Sequence, residues 1–419
     1  MRFRKALEFA VENSLLMVLG TVIALIWANT DPAGYDAAVH PLHFAVNDVG
    51  MVFFFGLAVK EIIEATASGG ALHSFRRAAV PVIAAVGGMA GPAAVYVALA
   101  AFAGAPELLR GWAIPCATDI AFSYLIARFV FGPGHPAVPF LLLLAIADDA
   151  FGLLILAVFY PSSEVRLIWC AVLFGAALLA TWVLRRLRTR SFWPYVLLPG
   201  SLSWAGLYLG GLHPALALVP ILPLIPHAPD DPGMFVDPSE RPHDALNEFE
   251  RWWQLPVEGV LFFFALTNAG VPLGGTGMAT WIVLTAILVG KPLGISLSAL
   301  LATMAGLRLP AGLLRRDFVV VGLTAAIGFT VALFFATAAF PAGRTLTAAK
   351  LGALFSLSAA LLAPAAAWVM RVGRFGVAPP GMGMPEGHFA SVSAPPPPPP
   401  GMRTTAPRRG GVIRNTARS

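Results

Sequence analysis

The chain has 419 residues, 58% of them hydrophobic and 12% charged, against about 25% charged in an average soluble domain. That balance excludes an ordinary soluble enzyme and points to an integral membrane protein with many spans. A formal charge of +6 does not argue for a nucleic-acid partner, because seven arginines lie from Arg371 onward and most others sit in short loops.

The opening stretch "MRFRKALEFAVENSLLMVLGTVIALIWANT" has the basic start and apolar core of a signal peptide. No small-residue cleavage pattern follows and many apolar runs do, so it reads as an uncleaved first span. Crossing a bilayer takes about 20 apolar residues. By that measure twelve spans are predicted near 9–28, 47–66, 78–103, 112–130, 138–159, 165–184, 194–210, 212–226, 255–271, 279–303, 317–340 and 349–371. Only "GGLH" divides the seventh from the eighth, and a polar, proline-rich loop is predicted over 227–254. Residues 1–374 form the membrane domain. From 375 to 419 the sequence turns to proline, arginine and small residues, including a hexaproline run, and predicts a disordered tail. Cys116 and Cys170 both fall in apolar segments and are expected to pack as small hydrophobes rather than to pair.

With both termini inside, the inward loops collect Arg2, Arg4, Lys5, Arg76, Arg77, Arg185, Arg186, Arg188, Arg190, Arg308, Arg315 and Arg316. The outward loops hold few, such as Arg110, Arg166 and Arg344. Positive charge gathers on the cytoplasmic side of membrane proteins, so an even number of spans with cytoplasmic termini fits.

Ionisable groups inside spans cost at least ~2.5–3.5 kcal/mol each at the bilayer centre and mark function by default. Here they are Asp48, Lys60, Glu61, Glu64, Asp119, Asp148, Asp149, Glu258 and Lys291. Asp48, Glu64 and Glu258 lie near predicted span ends, where a charge can also simply reach the interface. "FLLLLAIADDAFGLLILAVFY" (140–160) places Asp148 and Asp149 at its middle, about 100° apart on one helix. Burial and a like charge nearby favour the neutral carboxyl, so such a pair can exchange protons. Ionised, it offers hard oxygen ligands to a small cation, and the site holds one or the other.

In "AIPCATDIAF" (113–122), Pro115 interrupts an apolar span and Thr118 and Asp119 follow at once. A break there exposes helix-end dipoles that a carboxylate and a hydroxyl can neutralise. "VGLTAAIGFT" (321–330) is a second span weakened, at Gly322 and Gly328. Paired interrupted spans point to a transporter's central site. Lys291, in "ILVGKPLGIS", needs a buried counter-charge, and Pro292 beside it predicts a distorted helix. A permanent staple between spans and a partner released by an arriving cation are both open, the second favoured.

These motifs resemble the NhaA-type sodium/proton antiporters. The resemblance runs over residues 47–370 and is carried by "PVIAAVGGMAGPA", "GWAIPCATDIAF", "LAIADDAFG", "TNAGV", "GKPLGIS" and "VVVGLTAAIGFTVALFFA". It implies an all-α polytopic fold of about twelve transmembrane helices, with inverted repeats in spans three to five and ten to twelve. The fourth and eleventh spans would be discontinuous and cross near the midplane. Asp148 and Asp149 match the family's cation and proton site, Asp119 and Thr118 its broken-helix residues, and Lys291 the lysine paired with the first aspartate. His213 aligns with a family histidine linked to pH response. Glu61, Glu64 and Glu250 are candidates for the same role, because Ala58 and Ile62 stand where the family's acidic cluster is expected. Glu258 is a carboxylate the family does not lead one to expect.

The function implied is electrogenic exchange of Na+ or Li+ for protons across a bacterial inner membrane, without cofactor or enzymatic activity. The partners are the transported ions and the lipid bilayer, and a homodimer is a candidate assembly. A proton or cation channel, or exchange of another monovalent cation, is the alternative. An intramembrane aspartyl protease would need aspartates on separate helices and a GxGD signature, and the chain has no such signature. No nucleotide-binding loop is present to couple transport to ATP.

Overall fold

The computed structural model describes residues 15–376, apart from 69, 71, 74, 228–243, 308 and 311. The predicted tail beyond 376, the first fourteen residues and most of the predicted polar loop lie outside the described residues. Among the described residues the regular structure is helical, with no β-strand.

In chain order the helices are α1 (Leu15–Thr30), α2 (Pro32–Val39), α3 (Met51–Thr66), α4 (Phe75–Phe102), α5 (Ile120–Phe131), α6 (Ala137–Phe159), α7 (Leu167–Arg186) and α8 (Ser201–Leu209). They continue with α9 (Ala245–Asn268), α10 (Met278–Thr285), α11 (Lys291–Met304), α12 (Asp317–Ala325), α13 (Phe329–Ala339), α14 (Arg344–Phe355) and α15 (Ala359–Met370). Wide π-helical turns at Phe44–Gly50, Val196–Gly200 and Ala286–Gly290 lead into α3, α8 and α11. The last of these sits directly before Lys291 and Pro292, where the sequence predicts distortion.

Five helices or continuous helical runs are long and apolar enough to cross a membrane, and three bent pairs raise that to eight. The four remaining predicted segments differ in kind. α1 is described only from Leu15, and the stretch leading into α8 is widened by its π turn. α9 begins at Ala245, so the last ten residues of the predicted polar loop are helix. Asp244 caps it, accepting from the Asn247 amide at 2.8 Å. The predicted span at 212–226 is not a continuous helix. It is a chain of tight turns holding short 3-10 pieces at Pro214–Leu216 and Leu222–Leu224. Pro214, Pro220 and Pro223 remove the amides a long helix would need.

Two triplets of matching design make the core: α4, a broken span and α6, then α10–α11, a broken span and α14–α15. The broken spans bend by 56° (Pro106–Cys116 to Ile120–Phe131) and 55° (α12 to α13). α4 and α11 pack along a seam of glycines so tight that a Cβ at Gly294 would stand 2.0 Å from the Gly87 carbonyl oxygen. One at Gly91 would stand 2.3 Å from the Gly290 carbonyl oxygen. With no hydrophobic drive between helices in lipid, small residues let backbones approach this closely. That accounts for the "GGMAGP" motif. Outside this core, α1 and α3 pack against α9, and α3 also meets α6.

Gly322 is a correction. The sequence reads it as weakening its span, but it lies inside α12, where a Cβ would come within 2.4 Å of Pro292 Cα. Its task is close packing. The break falls four residues later, at Ala326–Gly328.

Candidate functional site

The first break follows from local sequence. Pro115 sits in a short 3-10 turn, Ile114–Cys116, after which Ala117 is extended (φ −69, ψ 147). Asp119 (φ −91, ψ 107) then caps α5, its Oδ1 accepting from the Phe122 amide at 3.4 Å. The second break has no proline. Its Ile327 carbonyl accepts the Asp119 amide at 2.7 Å, which ties the two breaks together. The Gly328 amide donates to Ser356 Oγ at 3.4 Å. A Cβ at Gly328 would lie 2.7 Å from the Ala117 carbonyl oxygen, so only glycine allows this crossing.

Asp119 serves both breaks. Its Oδ2 accepts the Thr330 hydroxyl and, at 3.3 Å, the Thr330 amide in the first turn of α13. One carboxylate thus faces the positive ends of two helices, the placement that helix dipoles favour. Lys291 meets the carbonyl end of the first break. Its Nζ donates to the carbonyls of Cys116 (2.5 Å) and Ala117 (2.6 Å), the last two of the first half-span, and to Asp148 Oδ2 at 3.2 Å. The predicted lysine–aspartate pair is therefore present, with Asp148 as the partner. Both side chains are almost wholly buried.

Thr118, expected to act on helix ends, instead donates its hydroxyl to Asp148 Oδ2 at 2.6 Å. Asp148 Oδ2 is thus doubly engaged, while its buried Oδ1 has no hydrogen-bond partner among the described residues. An unpaired buried carboxylate oxygen is costly and suits an arriving proton or cation. Asp149, the next residue, is half-buried and makes no hydrogen bond or ion pair with the described residues. It forms part of the wall of two cavities. The smaller, about 20 Å³, also touches Asp148, Cys116 and Ala58. The larger, about 270 Å³, is lined by Asp119, Thr118, Thr330, Glu61 and Glu258 as well. The charged groups acting on Asp149 are Asp148, Glu61, Asp119 and Lys291.

The residues proposed for pH response lie at three places: the larger cavity, Lys60 and the turn after α8. Glu61 and Glu258 face the larger cavity. Glu64 lies one turn further along α3, buried, and forms an ion pair with Lys60. Lys60, 1% exposed, also pairs with Glu250. Glu250 is therefore not a loop residue but part of α9, clamped to α3. His213 lies in the turn after α8, its ring 5.6 Å from that of Phe334 and its Nε2 without a partner. Ala58 lines both cavities beside Asp149. Both cysteines are free thiols.

Sequence reasoning missed Thr330, Ser356 and Lys350. The first two are small hydroxyls in apolar helices, a pattern common in ordinary packing. Lys350 does have a signal, a lysine within "TAAKLGALF", and it is 7% exposed in α14.

A family model described as Na+/H+ antiporter 1 matches residues 4–370. A protein named Na(+)/H(+) antiporter NhaA in Jannaschia sp. (strain CCS1) is 48% identical over 400 residues, covering 84% of this chain and 95% of its own. Proteins of the same name in Desulfitobacterium hafniense (strain DSM 10664 / DCB-2) and Geobacter metallireducens (strain ATCC 53774 / DSM 7210 / GS-15) are each 46% identical. They cover 86% and 88% of this chain and 95% and 99% of their own lengths.

Proposed function

The chain belongs to the Na+/H+ antiporter 1 family, and from that premise we propose that it exports Na+ or Li+ in exchange for protons. It is a multi-pass membrane protein of the bacterial inner membrane, with both termini in the cytoplasm. A homodimer is the proposed assembly, and no cofactor is needed for exchange.

One observation carries the reading: Asp148 and Asp149 stand together at a cavity wall, and among the described residues only Asp148 Oδ2 of their carboxylate oxygens has a hydrogen-bond partner. In that arrangement protons neutralise the two carboxylates during one half of the cycle. A dehydrating cation takes their oxygens in the other half. On arrival it draws Asp148 away from Lys291, which stays anchored by the Cys116 and Ala117 carbonyls. Because Lys291 keeps a fixed positive charge beside the pair, more protons than cations move per cycle and exchange is electrogenic. Asp119 sets the field at the helix ends. The acidic and basic groups of α3 and α9 modulate access from the cytoplasm.

The test is cation-triggered proton efflux from everted vesicles, followed with a pH-sensitive dye and scanned over pH and cation. Saturable, reversible exchange of one ion for the other is expected. Proton flux that is independent of Na+ and Li+ at every pH, or current that does not saturate, would instead mean a channel.

A further inference from the structure

We propose that Thr330 is a further residue of the cation site: its hydroxyl holds Asp119 until a cation arrives, and when turned onto Met17 it offers its oxygen to the cation. This rests on the antiport reading given above.

Thr330 is 2% exposed and occupies the first turn of α13. Its hydroxyl is within bonding reach of two acceptors, Asp119 Oδ2 and, at 2.9 Å, Met17 Sδ. A hydroxyl has one hydrogen and two lone pairs, so it can serve only one of them at a time. The carboxylate is the stronger acceptor, since charge-assisted bonds are about twice as strong as neutral ones and a thioether accepts weakly. The hydrogen therefore points at Asp119 until a cation competes for that oxygen.

A cation entering the larger cavity finds Asp149, Asp119, Thr118, Thr330 and Met17 in its lining. Ligation by Asp119 Oδ2 must displace the Thr330 hydrogen. Left without an acceptor, that buried hydroxyl would oppose binding. Met17 Sδ provides the acceptor. Once the hydrogen points to sulfur, the lone pairs of Thr330 Oγ1 face Asp119 and whatever ion sits there. Met17 belongs to α1 and Thr330 to α13, so the rotation also exchanges a contact within the broken-helix core for one to the packed helix outside it. The backbone amide of Thr330 continues to hold Asp119 at 3.3 Å, so the side chain can be altered while the cap survives.

The experiment compares wild type with Thr330→Val, Thr330→Ser, Met17→Leu and the Thr330→Val/Met17→Leu double variant. All are assayed in everted vesicles for apparent KM for Na+ and Li+, maximal rate and pH profile, with thermal stability of the purified protein as a check on folding. Loss of the hydroxyl in Thr330→Val is expected to raise the apparent KM about tenfold, the size of a hydrogen bond or ligand to a charged group. Maximal rate should change less than KM, and Thr330→Ser should restore wild-type affinity. Met17→Leu should raise KM about threefold, and the double variant should be no worse than Thr330→Val alone. An unchanged KM in Thr330→Val, a Ser variant as impaired as Val, or multiplying effects in the double variant would overturn the proposal. If Thr330→Val does not insert, Met17→Leu decides, and an unchanged KM there overturns it. Wild-type vesicles that show no exchange would instead bring down the antiport reading itself.

Discussion

The two helix breaks bend by almost the same angle, 56° and 55°, yet they are made by different means. The first is written into its own sequence by Pro115 and an extended Ala117, and it carries Thr118 and Asp119. The second, Ala326–Gly328, has neither proline nor charge, and others serve its polar groups: the Asp119 amide its Ile327 carbonyl, Ser356 its Gly328 amide. Repetition supplies a matched frame, while the chemistry sits on one side of it. The proposed cation site therefore draws its charged groups from the first break and from α6, and none from the second break.

Removing the charge from the chemical side should have the largest effect. Asp148→Asn and Asp149→Asn are each expected to reduce exchange to background in vesicles that contain normal amounts of inserted protein, because each loses both a ligand and a proton carrier. Wild-type rates in a well-inserted Asp149→Asn variant would remove it from the site. Lys291→Ala leaves Asp148 without its buried partner, a loss of about 3–5 kcal/mol. A marked fall in thermal midpoint and a changed charge movement per cycle should follow. If both stay at wild-type values, the pair is not part of the transport site.

Asp119→Ala spares Asp148 and Asp149 but uncaps both half-helices. It should raise the apparent KM for Na+ about tenfold, equivalent to ~1.4 kcal/mol, without abolishing exchange. Unchanged cation affinity would reduce Asp119 to a structural cap. The pH profile probes the same asymmetry more gently. If cation and protons compete for one site, tenfold more Na+ should move the activation midpoint to lower pH. The shift should be about one unit when one proton is displaced and about half a unit when two are. A fixed, abrupt midpoint would mean that a separate sensor governs activation. The smallest effect belongs to the uncharged side. Ser356→Ala removes the long bond from the Gly328 amide and the hydroxyl's own 2.6 Å bond to the Ala353 carbonyl, and should cost about 1 kcal/mol of stability, with near-normal transport. Loss of activity comparable to Asp119→Ala would show that the second break carries chemistry after all.

Much of the site was legible because charge stands out against hydrocarbon. Asp119, Asp148, Asp149 and Lys291 could be singled out from their neighbours alone, and the lysine's partner could be narrowed to the buried aspartates. The second break was not legible in detail, because tertiary contacts place it rather than a breaker residue. Gly322 looked like a weak point and proved to be a packing contact. The turns at 212–226 were hidden by their own apolarity, with four prolines as the overlooked warning. Glu250 was assigned to a loop because its helix starts in polar sequence. Its bond to Lys60 spans 190 positions, beyond the reach of any local pattern. Thr330 was quoted within a motif but looked like any helix-lining threonine.

The glycine seam between α4 and α11 has a consequence for movement. Backbones that touch with no room for a methyl group cannot slide or roll past one another without collision. The repeats are therefore welded along one line, and the crossing breaks are suspended between welded walls. Any stroke that turns the site from one aqueous face to the other must carry both repeats as a single piston. α1 and α9 meet just as closely where a Cβ at Gly20 would stand 2.5 Å from the Phe262 carbonyl oxygen, so the body against which that piston moves is itself stiff.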